Sequence, residues 1–330
     1  MRFRELRRIV QTIVLAGLPA AGCTSLYSSD CVERHDESIE IPEPAEPSMQ
    51  LKIESCRRDV DACTDLCLSA MQKAGLGGSY VACEVTFRDK KTVVDLVYDV
   101  TTGGPNCPVD GRRPAGLAAL RGTSADSEAG AWLAHAAWLE AASVHAFVHL
   151  ANELAGHGAP DTLVRAALAA AADEVRHTEL MTRLALRHGG RPVPPEVALP
   201  PVRGLADIAI ENAAEGCVRE TWGAIVALWQ SHTALDPVAR ATFAAIARDE
   251  LRHAQLAWAV DAWCAPRLDD ADRARVVAAR EHAMRELMTA PEPITILAIG
   301  LPDADQVRDL LSRTAALLWS SQVGGRTWHA

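Results

Sequence analysis

A five-residue pattern, Asp-Glu-x-Arg-His, occurs twice in this chain: Asp173-Glu174-Val175-Arg176-His177 and Asp249-Glu250-Leu251-Arg252-His253, with 76 residues from Glu174 to Glu250. Each copy lies in an alanine-rich stretch with helical periodicity. Positions i and i+3 of a helix share a face, so each Glu and its His can reach a common ion. A third carboxylate, Glu140, precedes Glu174 by 34 residues and is flanked by Leu133, Ala136, Ala137, Val144 and Phe147, which turns its face inward. A lone Glu-x-x-His reads as a solvated helix face. Two copies in matched hairpins read as a metal site.

The fourth carboxylate has two candidates. Glu215 precedes Glu250 by 35 residues, and Glu215-Gly216-Cys217-Val218 echoes Glu140-Ala141-Ala142-Ser143-Val144, so the internal repeat favours Glu215. Glu220 instead shares a stripe with Ala213, Cys217, Ala224 and Leu228. Five residues turn an α-helix by about 140°, so both serve together only if a π-bulge intervenes. His145 and His149 fall off the Glu140 face and are read as exposed. Trp138, Trp222, Trp229 and Trp258 are read as core, and Cys217 as a small buried residue.

Six helices are predicted beyond residue 120: Ser124 to Ala155, Asp161 to Gly189-Gly190, Leu205 to Ser231, Asp236-Pro237 to before Pro266, Asp270 to Thr289, and Asp303 to Trp319. Short links after the first and third make two antiparallel hairpins. The link from Gly189 to Gly204 carries five prolines and can stretch about 50 Å, enough to run the roughly 40 Å length of such helices, so the second and third can lie parallel. The fold class is mainly α: a four-helix bundle with one long crossover and two outer helices.

Over about Ser124 to Cys264 this pattern resembles the ferritin-like di-iron carboxylate superfamily, whose members place a Glu on each of two helices and Glu-x-x-His on each of the other two. The resemblance implies a ferritin-like bundle at residues 120–330. It implies metal ligands at Glu140, Glu174, His177, Glu250 and His253 and at Glu215 or Glu220, holding two iron ions, with manganese an alternative. It further implies an oxidoreductase that meets oxygen or peroxide and takes electrons from a donor the sequence does not name. A non-catalytic protein that binds or buffers metal is the competing expectation. Zinc would bind the same donors more tightly. No tyrosine follows Tyr98, which argues against a tyrosyl radical within the bundle.

The chain's start carries different information. Arg2, Arg4, Arg7 and Arg8 precede an apolar run from Ile9 to Leu18, followed by Pro19-Ala20-Ala21-Gly22-Cys23, so residues 1–22 read as a bacterial lipoprotein signal peptide with Cys23 lipidated. The expected location is the cell envelope, with the membrane a partner through that anchor. Residues 23–50, with Ile41-Pro42-Glu43-Pro44-Ala45-Glu46-Pro47, read as an acidic polyproline spacer. Residues 51–110 read as a small α+β module. It has a helix from Arg57 to Lys73 and a hairpin of Val81 to Phe87 with Val94 to Val100, turning at Asp89-Lys90. Three disulfides among Cys31, Cys56, Cys63, Cys67, Cys83 and Cys107 are expected, their pairing open. A net charge of -10 offers no basic stripe for phosphates, so nucleic acid is not an expected partner.

Overall fold

The computed structural model describes residues 3–18, 32–59, 62–74, 79–88, 91–101, 112–118, 120, 124–198, 200–289 and 296–319. Outside these residues lie Pro19 to Cys23 with the lipidation position, Cys31 and Cys107, the Asp89-Lys90 turn and the boundary from Thr102 to Gly111. The chain is mainly helical with a small sheet module, and it divides into two compact units: Asp30–Thr102, and Met1–Ser29 with Gly103–Ala330.

In the smaller unit, β1 (Val32–Pro42), β2 (Ser79–Arg88) and β3 (Lys91–Thr101) form an antiparallel sheet in the order β1-β3-β2. Part of the stretch read as a spacer, residues 32–42, is therefore a strand. Ile39 and Ile41 give it an apolar face, and both pack on the module's core, outweighing the extended propensity of the prolines that follow. Two helices replace the one expected: α2 (Pro47–Arg58) and α3 (Cys63–Lys73). A Cys56–Cys63 disulfide, with Cα atoms 4.4 Å apart, ties the end of one to the start of the other. A second bridge, Cys67–Cys83, fastens α3 to β2. Met49, Ile53, Leu66, Ala70, Val94 and Leu96 fill the space between helices and sheet. So small a core supplies little stability alone, which is the physical case for two covalent staples.

The larger unit is built from long helices whose ends are legible in the residues. Ser127 caps α4 (Glu128–Gly156) by accepting from the Gly130 amide at 2.9 Å. α5 (Asp161–Arg187) stops at Gly189, whose φ of 81° suits glycine. A side chain at Gly130 would also strike His188 O at 2.5 Å, so the hairpin closes tightly there. The third helix is interrupted: α6 (Leu205–Glu211) and α7 (Thr221–Thr233) flank a π-helical stretch, Asn212–Glu220. Asp236 caps α8 (Pro237–Cys264) through the Val238 amide at 2.8 Å, with Pro237 in the first turn.

α4 pairs with α5, and α7 with α8. Asp173 bonds Arg252 and His253 while Asp249 bonds Arg176 and His177, so residue numbers rise along α5 as they fall along α8. The two helices are antiparallel at this crossing, and α5 runs parallel to α7. The proline-rich crossover makes that possible. It is held by residues 112–118, which bridge it antiparallel at Leu117 and Val197. α9 (Asp270–Thr289) lies on α6 and the π stretch; α10 (Ala304–Thr314) opens on a capping box of Asp303 and Gln306.

The N-terminal α1 (Phe3–Gly17) packs on α7, α8 and α10 with Leu6, Val10, Ile13 and Val14 buried. The arginines Arg4, Arg7 and Arg8 face solvent, so this segment is amphipathic, not apolar all round. Among the described residues no helix is long and apolar enough to cross a membrane.

Candidate metal centre

Six side chains meet within the bundle. Glu140, Glu174, His177 and Glu250 offer one ligand atom each within 4.8 Å of one another, and so do Glu220, Glu250 and His253. Glu250 belongs to both groups. All four glutamates are 0 % exposed, and His177 and His253 are 1 % and 2 % exposed.

The histidines are aimed. His177 turns Nδ1 towards Glu250 at 3.2 Å, Glu140 at 3.5 Å and Glu174 at 3.7 Å, with Nε2 on Asp249 at 3.2 Å. His253 turns Nδ1 towards Glu174 at 3.0 Å, Glu250 at 3.3 Å and Glu220 at 3.8 Å, with Nε2 by Asp173 at 3.4 Å. Each imidazole is thus held from behind by the aspartate that opens the other copy of the pentad. Arg176 and Arg252 complete the exchange: Arg176 bonds Asp173 at 2.5 Å and Asp249 at 3.0 Å, and Arg252 bonds Asp249 at 2.7 Å and Asp173 at 2.9 Å. Asp173, Arg176, Asp249 and Arg252 were given no role from the sequence, yet the aspartates hold the two histidines and the arginines hold the aspartates. Their signal was present, since the pentad recurs at four of its five positions and not only at Glu and His.

Electrostatics test whether cations fit. Burial and the Glu174 carboxylate push Glu140 well above the usual carboxylate range, and burial and Glu250 do the same to Glu220. Burial works the same way on Glu174 and Glu250, but there the histidines outweigh it and hold both below that range. Burial disfavours charge on His253, yet Glu250, Asp173 and Glu174 raise it well above an ordinary histidine. Four buried carboxyls crowded together cannot all be ionised without counter-charge. Both oxygens of Glu140, Glu174, Glu220 and Glu250, and Nδ1 of both histidines, lack a hydrogen-bond partner. Buried polar atoms are nearly always satisfied, so ten convergent orphans on six residues are a donor set that fits metal ions. The acidic and imidazole donors suit iron, manganese or zinc.

Glu215, favoured by the internal repeat, lies outside both groups. Its carboxylate pairs with Arg219 and accepts from the Arg113 amide at 3.3 Å, and Arg219 reaches on to Glu286 at 2.6 Å. Burial alone would raise Glu215, but Arg219 and Arg113 outweigh it and hold the carboxyl below the usual range. The π stretch changes the register between the two halves, so equal sequence spacing does not give equal placement. His149 is a further correction. It is buried, with Nε2 3.1 Å from Glu153, which Arg203 also holds; His145 is exposed. Trp138, Trp222, Trp229, Trp258 and Cys217 are buried as read, and burial followed by Asp261 pushes the Cys217 thiol up, keeping it protonated.

No protein-family model, curated protein or solved structure matches the chain.

Proposed function

We propose that this chain is a ferritin-like di-metal carboxylate protein, using two iron or manganese ions as an oxidoreductase towards oxygen or peroxide. The observation that carries the reading is the set of buried, unpartnered oxygen and nitrogen atoms on Glu140, Glu174, His177, Glu220, Glu250 and His253. Glu220, not Glu215, supplies the third helix's ligand. Glu140, Glu174, His177 and Glu250 would hold one ion and Glu220, Glu250 and His253 the other, Glu250 belonging to both groups. When bound, such ions would supply the redox chemistry towards oxygen or peroxide, with electrons from an external donor. Asp173 and Asp249 fix the ring orientation and tautomer of the two histidines, and Arg176 and Arg252 keep those aspartates ionised. Phe147, buried with its ring centroid 5.0 Å from that of His253, helps exclude water there and lowers the local dielectric.

Complete burial of every donor also favours a second reading, a closed metal-binding protein without turnover, because catalytic sites usually keep an open position. Elemental analysis followed by oxygen uptake of the ferrous protein separates the two. Steady uptake with a reductant supports the oxidoreductase; one uptake per loaded centre supports the binding protein. Absence of metal above background sinks both. Export, with a lipid on Cys23, belongs to the proposal as its location, and Cys23→Ser should then release the chain from membranes.

A further inference from the structure

Residues 112 and 113 enter the bundle from the linker and meet the third helix where its hydrogen bonding changes. Arg112 is 1 % exposed. Its guanidinium donates to Asn212 Oδ1 at 3.0 Å and twice to Glu211 Oε1 at 3.2 Å, the last residue of α6 and the first of the π stretch. Its carbonyl accepts from Ser143 Oγ at 3.0 Å, three residues after Glu140 on α4. Asn212 in turn donates to Ala257 O on α8 at 2.9 Å. One arginine therefore links α4, the start of the π stretch and α8. Gly216 shows how tightly the stretch is seated: a Cβ there would lie 2.6 Å from Ala257 Cβ, 2.9 Å from Asn212 Oδ1 and 3.1 Å from Arg112 Nη1. The neighbouring Arg113 amide holds Glu215 at 3.3 Å, while Glu220, at the end of the stretch, faces His253.

A π-helical stretch hydrogen-bonds i to i+5 and is disfavoured against α-helix, so something outside it must hold it. We propose that Arg112 is a positioning residue for the metal centre: its fork on Glu211 and Asn212 sets the register of the π stretch, which turns Glu220 inward and leaves Glu215 to Arg113 and Arg219. A plain α-helical register would turn Glu220 to a different direction about the axis. The proposal rests on the reading of the centre given above and adds the element that selects its fourth carboxylate.

Cobalt(II) titration of the full-length protein, followed by its visible absorption, tests this. Wild type should take about two ions per chain and Arg112→Met about one, with the spectrum of the remaining ion matching that of Glu220→Ala. The Arg112→Met/Glu220→Ala double variant should lose no more than either single change, because both act on one ligand. Gly216→Ala, which presses a methyl into the same contact, should repeat the selective loss where Arg112→Met proves too unstable. Retention of two ions with the wild-type spectrum in these variants overturns the proposal. Loss of both ions together, with or without loss of helicity, assigns Arg112 to the fold alone and overturns it as well. Wild type that binds no cobalt fails the reading of the centre itself, and the positioning role falls with it.

Discussion

The two helical hairpins carry the same pentad yet present their other glutamate differently. In the first, α4 is continuous and Glu140 faces its partner's motif from 34 residues upstream. In the second, the helix opposite the motif contains the π stretch, and the residue at matching distance, Glu215, is bound by Arg219 while Glu220 faces the centre. An internal repeat predicts the shared chemistry of the motif well. It predicts poorly the helix that only supports it, because one change of helical hydrogen bonding shifts every later side chain around the axis.

The largest effect should come from the residue the two halves share. Glu250→Ala removes a donor from both groups and leaves buried carboxylates and histidines without it, so metal content should fall from about two ions towards none. A cost of about 3 kcal/mol in stability by denaturant titration is expected for the metal-loaded chain, the scale of breaking a buried charged network. Retained metal and unchanged stability would refute the shared role. Next come the unlike partners: Glu140→Ala and Glu220→Ala should each leave about one ion by elemental analysis. Glu215→Gln should leave about two, and loss of metal there would restore the symmetric arrangement. The mildest change concerns the crossed aspartates. Asp173→Asn and Asp249→Asn should each weaken metal affinity about 10- to 100-fold, in competition with a chelator, without changing the count.

Acid should expose the same aspartates. Burial would raise Asp173, but His253, Arg176 and Arg252 outweigh it and hold it below the ordinary range; Asp249 is lowered in the same manner, by His177 and Arg252. A depressed carboxyl stabilises the fold fully above its unfolded pKa, about 4, and loses that contribution as pH falls further. Thermal melts of metal-free protein should therefore show wild type and Asp173→Asn converging as the pH is lowered from 5. A constant gap would count against the ion pairs.

Much of this was legible in the residues. Ser127, Gly189-Gly190 and Asp236-Pro237 marked helix ends correctly because caps and stops act locally. Helical spacing put Glu174 with His177 and Glu250 with His253 on one face each, and the resemblance to the di-iron carboxylate pattern implied that they meet Glu140. The π stretch was conceivable but not readable, since what holds it, Arg112, arrives about 100 residues earlier in the chain, before Glu211 and Asn212. His149 misled for a similar reason: its partner, Glu153, is buried by Arg203 from the crossover, a contact no helical wheel contains. In the small module, β1 was hidden because its partner strand, β3, pairs Ile39 with Val94 across 55 positions, and the prolines nearby spoke louder.

The docked N-terminal helix bears on how the protein would mature. Leu6, Val10, Ile13 and Val14 are sealed against the bundle, and Gly17 sits where a side chain would meet Trp229 and Leu310 within 3.5 Å. Burial of four such side chains is worth roughly 6–12 kcal/mol as an upper bound, and even the low end is comparable to the whole stability of an ordinary domain. Cutting the chain ahead of Cys23 would thus do more than release a targeting signal. It would strip one wall from the fold, and the segment would have behaved as a prosegment, a template present during folding and gone afterwards, leaving the product to persist by the height of its unfolding barrier.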